Sequence, residues 1–130
     1  MPNKHVEHDN QVEFFRRCSY QKYGEGTLRD YVFAVPNALP YGGKQAMLQM
    51  LRLRAEGLTK GIPDIECFIP MPPYTGLHIE MKKPRPEGKP SDVTSEQRQK
   101  MALLTSQQRK CVVAFGWEEA WRELRLYLGV

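Results

Sequence analysis

Paired cysteines, long apolar runs and internal repeats are all missing from this sequence. Its three cysteines, Cys18, Cys67 and Cys111, lie far apart, are odd in number and form no CxxC pair. That speaks against a disulfide framework and against a zinc knuckle. Cys67 and Cys111 each stand inside an apolar run, where a reduced thiol behaves as a small hydrophobe. A reducing, cytoplasmic setting is the default expectation. Residues 1–11 are polar and lack the apolar centre of a signal peptide. No run approaches the length that a bilayer demands, so a soluble chain with no membrane role is expected. Low-complexity segments are absent too, and the aromatic residues show no stacking-platform pattern. A strong charge of one sign is also lacking. Lys and Arg total 19 against 15 Asp and Glu, a net charge of +4, which favours a nucleic-acid partner only mildly.

What is present is an ordinary globular composition. The chain has 130 residues, 41% hydrophobic and 26% charged, enough for one domain over 1–130 with one core and too apolar for a disordered chain.

Periodicity divides that domain into alternating helices and strands. A helix is expected over 5–20, with Val6 and Phe14 on one face and Glu7 and Gln11 four apart on another line. Residues 31–35 are β-branched and aromatic and stop at Pro36-Asn37, which reads as a strand. A Pro/Gly turn over 39–43 leads to a helix over 44–56, ended by Gly57. In that helix Met47, Met50, Leu51 and Leu53 read most simply as core, with a dimer seam as the second reading. Strands over 65–69 and 77–82 flank a turn and plausibly pair as a hairpin. A polar Pro/Gly loop over 84–92 precedes a helix over 94–107, opened by a capping box of Thr94 with Gln97. A strand over 110–115 and an amphipathic helix over 117–128 close the chain. A mixed sheet flanked by helices, an α/β fold, is the natural packing.

Chemistry concentrates in two short segments, Gly61-Ile62-Pro63-Asp64 and Gly76-Leu77-His78-Ile79-Glu80-Met81-Lys82. In the second, alternation sets Leu77, Ile79 and Met81 on one face and His78, Glu80 and Lys82 on the other, with Glu80 and Lys82 about 7 Å apart. Hairpin pairing can bring Asp64 to Glu80. Two carboxylates there repel unless a cation lies between them. Two carboxylates and a backbone carbonyl, that of Met81, suit Mg²⁺, with water and phosphate oxygens completing the shell. Such an ion can polarise a phosphate and acidify a water. Lys82 would neutralise developing charge; acting as a base instead would require its pKa to fall from about 10.4.

Pro63-Asp64 with Glu80-Met81-Lys82 resembles the PD-(D/E)XK nuclease signature. Residues 56–64, Ala34-Val35-Pro36-Asn37, residues 76–82, Thr94-Ser95-Glu96-Gln97, and Glu7-His8 followed by Gln11 resemble, in the same order, blocks of the VRR-NUC (virus-type replication-repair nuclease) family. The resemblance spans nearly the whole chain. It implies a restriction-endonuclease-like core, a metal site of Asp64, Glu80 and the Met81 carbonyl, Lys82 as the catalytic lysine, Glu7 at or beside the metal, and Gln97 nearby. It also implies a phage-type stand-alone nuclease, often a homodimer acting on branched DNA, with larger relatives in DNA-repair proteins. Mn²⁺ is expected to substitute for Mg²⁺. Two departures stand out. Residues 38–43 are not the short Gly-rich basic turn of the family, and Arg109-Lys110 replaces its Gly-aromatic pair.

Each residue also has a plainer reading. Pro-Asp is a common turn pair, and Glu80 and Lys82 could form a solvated strand face. Glu7 suits a first helical turn through the macrodipole. Gln97 is accounted for by its capping box, and Gln11 by a helix surface or by a place behind the metal site. His5 and His8 lack further ligands for zinc and read as surface residues. His78 could touch phosphate or be a partly exposed strand residue. Lys83 and Arg85, in the basic stretch from Lys82 to Lys89, could contact a DNA backbone or be solvated. Taken together the expectation is an Mg²⁺-dependent deoxyribonuclease of the four-way-junction type. Flap-nuclease or exonuclease action on the same scaffold, and a silent DNA-binding module, are the alternatives.

Overall fold

A computed structural model describes residues 6–36 and 43–130. His5, Asn37, residues 38–42 of the departing segment 38–43 and most of the turn expected over 39–43 lie outside the described residues.

The elements run α1 (Val6–Tyr20), β1 (Lys22–Tyr23), β2 (Gly26–Thr27), β3 (Val32–Ala34), α2 (Gly43–Ala55), β4 (Ile65–Cys67), β5 (Gly76–Lys82), α3 (Ser95–Ser106), β6 (Arg109–Phe115) and α4 (Trp117–Leu128). Single 3-10 turns occupy Leu28–Asp30 and Pro90–Asp92. Every long element agrees with its periodicity. The β1–β2 ribbon and the two 3-10 turns were not anticipated, because two or three residues are too few to establish a period.

The main sheet has the order β3-β4-β5-β6. β3 and β4 pair antiparallel, β4 and β5 antiparallel, and β5 and β6 parallel. The expected hairpin is therefore present, and α3 makes the crossover that a parallel pair requires. This is the α/β, mixed-sheet, restriction-endonuclease-like architecture expected.

Leu77, Ile79 and Met81 of β5, Ile65 and Cys67 of β4, and Val32 of β3 join Phe14 and Cys18 of α1 and Ala120, Leu124 and Leu128 of α4 in one core. The i, i+4 spacing in both helices places these side chains on one stripe. Asn10 of α1 accepts a hydrogen bond from the Trp117 N–H at 2.9 Å, so α1 satisfies an orphan donor at the start of α4. Gly116, at φ +96°, makes the turn into α4, a conformation that favours glycine.

β5 is buried along its whole length, on both faces. The solvated face considered for Glu80 and Lys82 does not exist, because α3 packs over that side of the sheet; Cys111 Sγ of β6 donates to the Met101 carbonyl of α3. All three cysteines are free. α2 contains no buried residue, and Met47 (65%), Leu48 (54%) and Leu51 (56%) are largely exposed. The apolar side chains of α2 are not core, because the sheet faces are filled by the other three helices. No described helix is long and apolar enough to cross a membrane.

Candidate active site

β4 and β5 register Ile65 with Ile79 and Glu66 with His78. One further step sets Asp64 opposite Glu80. Strand alternation then gathers Asp64, Glu66, His78, Glu80 and Lys82 on the sheet face beneath α3, while the apolar partners fill the other face. The Val35 N–H donates to the Asp64 carbonyl at 2.8 Å, fixing the Asp64 backbone against the end of β3.

The Asp64 side chain does not point away. Its Oδ2 accepts a hydrogen bond from the Met81 N–H at 3.0 Å. In a strand the N–H and C=O of one residue face the same neighbour, so the Met81 carbonyl is directed to the Asp64 side. The residue in register with Met81 is Pro63, which has no N–H to offer that carbonyl. The Pro-Asp pair thus has a structural consequence: it removes the ladder donor opposite the Met81 carbonyl.

Glu80 is 2% exposed and Lys82 8%, while Asp64 is half-buried. Lys82 Nζ lies 3.8 Å from Glu80 Oε1. It donates to Gln97 Oε1 at 3.1 Å, and Gln97 Nε2 donates to Glu80 Oε1 at 2.9 Å. Burial pushes the Glu80 carboxyl up to about 8; the Asp64 charge adds to this, and Lys82 opposes it. Glu80 Oε2 is buried with no hydrogen-bond partner. A buried carboxyl oxygen that no donor reaches, beside a second carboxylate, suits a hard divalent cation. Asp64, Glu80 and the Met81 carbonyl therefore fit such an ion.

The other expected residues fall in different places. No group of three His, Cys, Asp or Glu suited to a metal occurs among the described residues; Glu7 is exposed in the first turn of α1. Gln11 borders a hollow with His8, Phe15, Arg29 and Ala34. His78 is 2% exposed and not the partly exposed residue expected. Its Nε2 lies 3.6 Å from Glu66 Oε1, neither ring nitrogen has a hydrogen bond, and burial, with Arg109, holds its pKa down to about 4. Lys83 pairs with Glu87 at 3.3 Å. Arg85 bonds Glu119 at 3.0 Å and lies over the Phe115 ring. Both flank the end of β5.

Glu66 was missed. It alternates with Asp64 as His78 does with Glu80, so the hairpin register that joins the acids joins this pair as well. The departing residue Arg109 also belongs here: it is Cα-paired with Gly76, donates to the Thr75 carbonyl and lies 4.0 Å from Glu66.

No family model matches the sequence, and no curated protein matches it. A solved structure described as a VRR_NUC domain protein matches with a TM-score of 0.81, over 99% of this chain and 92% of that one, at 22% sequence identity. The chain has the fold of that protein.

Proposed function

We propose that this chain, built on the fold of a VRR_NUC domain protein, is a VRR-NUC-type deoxyribonuclease. It would hydrolyse phosphodiester bonds with Mg²⁺ or Mn²⁺ held by Asp64, Glu80 and the Met81 carbonyl. The observation that carries this reading is Glu80: a buried carboxyl group with one oxygen that no donor reaches, close enough to Asp64 that burial and the second acid together raise its pKa, and with an ammonium 3.8 Å away. Leaving such groups in a protein interior is costly unless a ligand uses them. A divalent ion there would supply Lewis-acid polarisation of the scissile phosphate.

The chain's own residues do the rest. Asp64 is aimed by the Met81 N–H, and its partial exposure gives the site an approach from solvent. Glu80 contributes charge and an oxygen from the sheet interior. Lys82 carries a positive charge beside the same site, where it would neutralise charge building on the phosphate. Lys83 and Arg85, past the end of β5, are suited to backbone contacts with DNA.

Branched DNA is the proposed substrate, four-way junctions in particular, cut by a homodimer that places one site on each opposed strand. The exposed apolar residues of α2 are the proposed seam. The test is cleavage of labelled linear, flap and four-way DNA with Mg²⁺, Mn²⁺ or chelator. Asp64→Ala, Glu80→Ala and Lys82→Ala should each remain folded by circular dichroism and lose cleavage by about a thousandfold or more. Wild-type rates in any of the three would remove the site assignment. Retained binding with no cleavage by the wild type would leave a DNA-binding module.

A further inference from the structure

We propose that Gln97 is a positioning residue of this site, with Thr94 as its lock, so that the start of α3 sets the spacing between Lys82 and Glu80. This rests on the nuclease reading above.

A capping box needs one thing from the side chain at the third helical position, an acceptor for the cap residue's N–H. Gln97 supplies it: Oε1 accepts from the Thr94 N–H at 3.0 Å, and Thr94 Oγ1 accepts from the Gln97 N–H at 3.2 Å. The same amide does more than capping requires. Its Oε1 also accepts from Lys82 Nζ at 3.1 Å, and its Nε2 donates to Glu80 Oε1 at 2.9 Å. The amide orientation is unambiguous, because only the oxygen can accept from two donors and only the nitrogen can donate to a carboxylate.

The geometry points to a spacer. Lys82 and Glu80 project from one strand face two residues apart, in a low-dielectric setting where opposite charges attract strongly. Gln97 binds both and holds them at 3.8 Å. Without it the ammonium would close onto the carboxylate as Glu80 ionises, occupying the oxygen and cancelling the charge that a cation needs. The scaffold is anchored on its other side as well. Gly61, in the loop that delivers Asp64, lies so close to α3 that a Cβ would be 2.6 Å from the Glu96 carbonyl oxygen. One helical turn therefore touches the supports of all three groups.

Capping and positioning can be separated above about pH 8, because an ionised Glu closes a capping box as well as Gln does but cannot donate to Glu80. Gln97→Glu should keep a near-wild-type Tm while kcat falls about ten- to hundredfold and KM stays within about twofold, the size typical of residues that orient ligands. Thr94→Val should lower kcat at temperatures where it is fully folded, and Thr94→Ser should restore it. A readout independent of cleavage is the ammonium signal of Lys82 in a proton–nitrogen correlation spectrum, identified by its loss in Lys82→Met. It should keep its wild-type chemical shift in Thr94→Ser, and move in Gln97→Ala and Thr94→Val as the ammonium closes onto Glu80. Wild-type kcat in folded Gln97→Glu, or equal impairment in Thr94→Ser and Thr94→Val, would overturn the proposal. If Gln97→Glu does not fold, the comparison of Thr94→Ser with Thr94→Val carries the test. If the wild type cuts no DNA, the nuclease reading falls, and the Lys82 signal alone decides whether Gln97 holds the ammonium.

Discussion

At the residue scale the decisive side chain is Glu80. Its carboxyl is pushed up to about 8 from an ordinary 4.5, by burial first and by Asp64 second. Between those limits the folded protein binds a proton that the unfolded chain does not. The metal-free protein should therefore lose stability as pH rises from about 4.5 to about 8, and Glu80→Gln should flatten that slope in thermal melts recorded across the range. A divalent ion has to displace the same proton, so Mn²⁺ affinity should strengthen by about tenfold per pH unit on approaching pH 8. Calorimetry in buffers of different ionisation enthalpy should count up to one proton released per ion. Affinity that does not change between pH 6 and 8 would mean that Glu80 is not a ligand. His78 shows how the same burial acts on a base. Enclosed beside Glu66 and Arg109, it stays neutral through the physiological range, held down to about 4, and belongs to the interior of the sheet.

At the element scale the site depends on two strands and the start of one helix. β4 and β5 supply the acids through their register, and α3 closes over them. Gly61 is the point of closest approach: φ is +83°, and an added Cβ would lie 2.6 Å from the Glu96 carbonyl oxygen and 2.8 Å from its carbon. Backbone cannot yield there as a flexible side chain can. Gly61→Ala should cost about 1–3 kcal/mol and lower the Tm by on the order of 5 °C. Cleavage should fall further than the loss of folded protein explains, because the first turn of α3 is displaced from Lys82 and Glu80. A melt and a cleavage rate within error of wild type would show that the loop and helix separate freely. The capping box, by contrast, was legible from Thr94 and Gln97 alone, since capping is local chemistry over four residues. Local chemistry did not show that the Gln97 amide also bonds Glu80 and Lys82, since that contact joins residues seventeen and fifteen positions apart; the family resemblance placed Gln97 near the site without giving these bonds.

At the scale of the whole molecule, α2 is the element that one copy leaves unused. Its apolar residues Met47, Leu48 and Leu51 face solvent, where exposed apolar groups commonly mark association. If α2 is the dimer seam, Leu48→Glu with Leu51→Glu should leave secondary structure intact and shift the protein from dimer to monomer in sedimentation velocity. Junction cleavage should fall more than nicking of linear DNA. A wild-type monomer at micromolar concentrations would remove the homodimer from the proposal, and a dimer unaffected by the substitutions would move the seam elsewhere. Periodicity, capping and short motifs are local properties of the chain, so the alternation of helices and strands, the α3 cap and the candidate residues Asp64, Glu80 and Lys82 could be read from the residues alone. The sequence could not determine whether Met47 and Leu51 would be covered, whether His78 would be open to solvent, or which acids would meet. Those outcomes depend on strand register and on which helix covers which sheet face. Both are settled by burying the apolar residues of every element at once, and only the tertiary structure contains that solution.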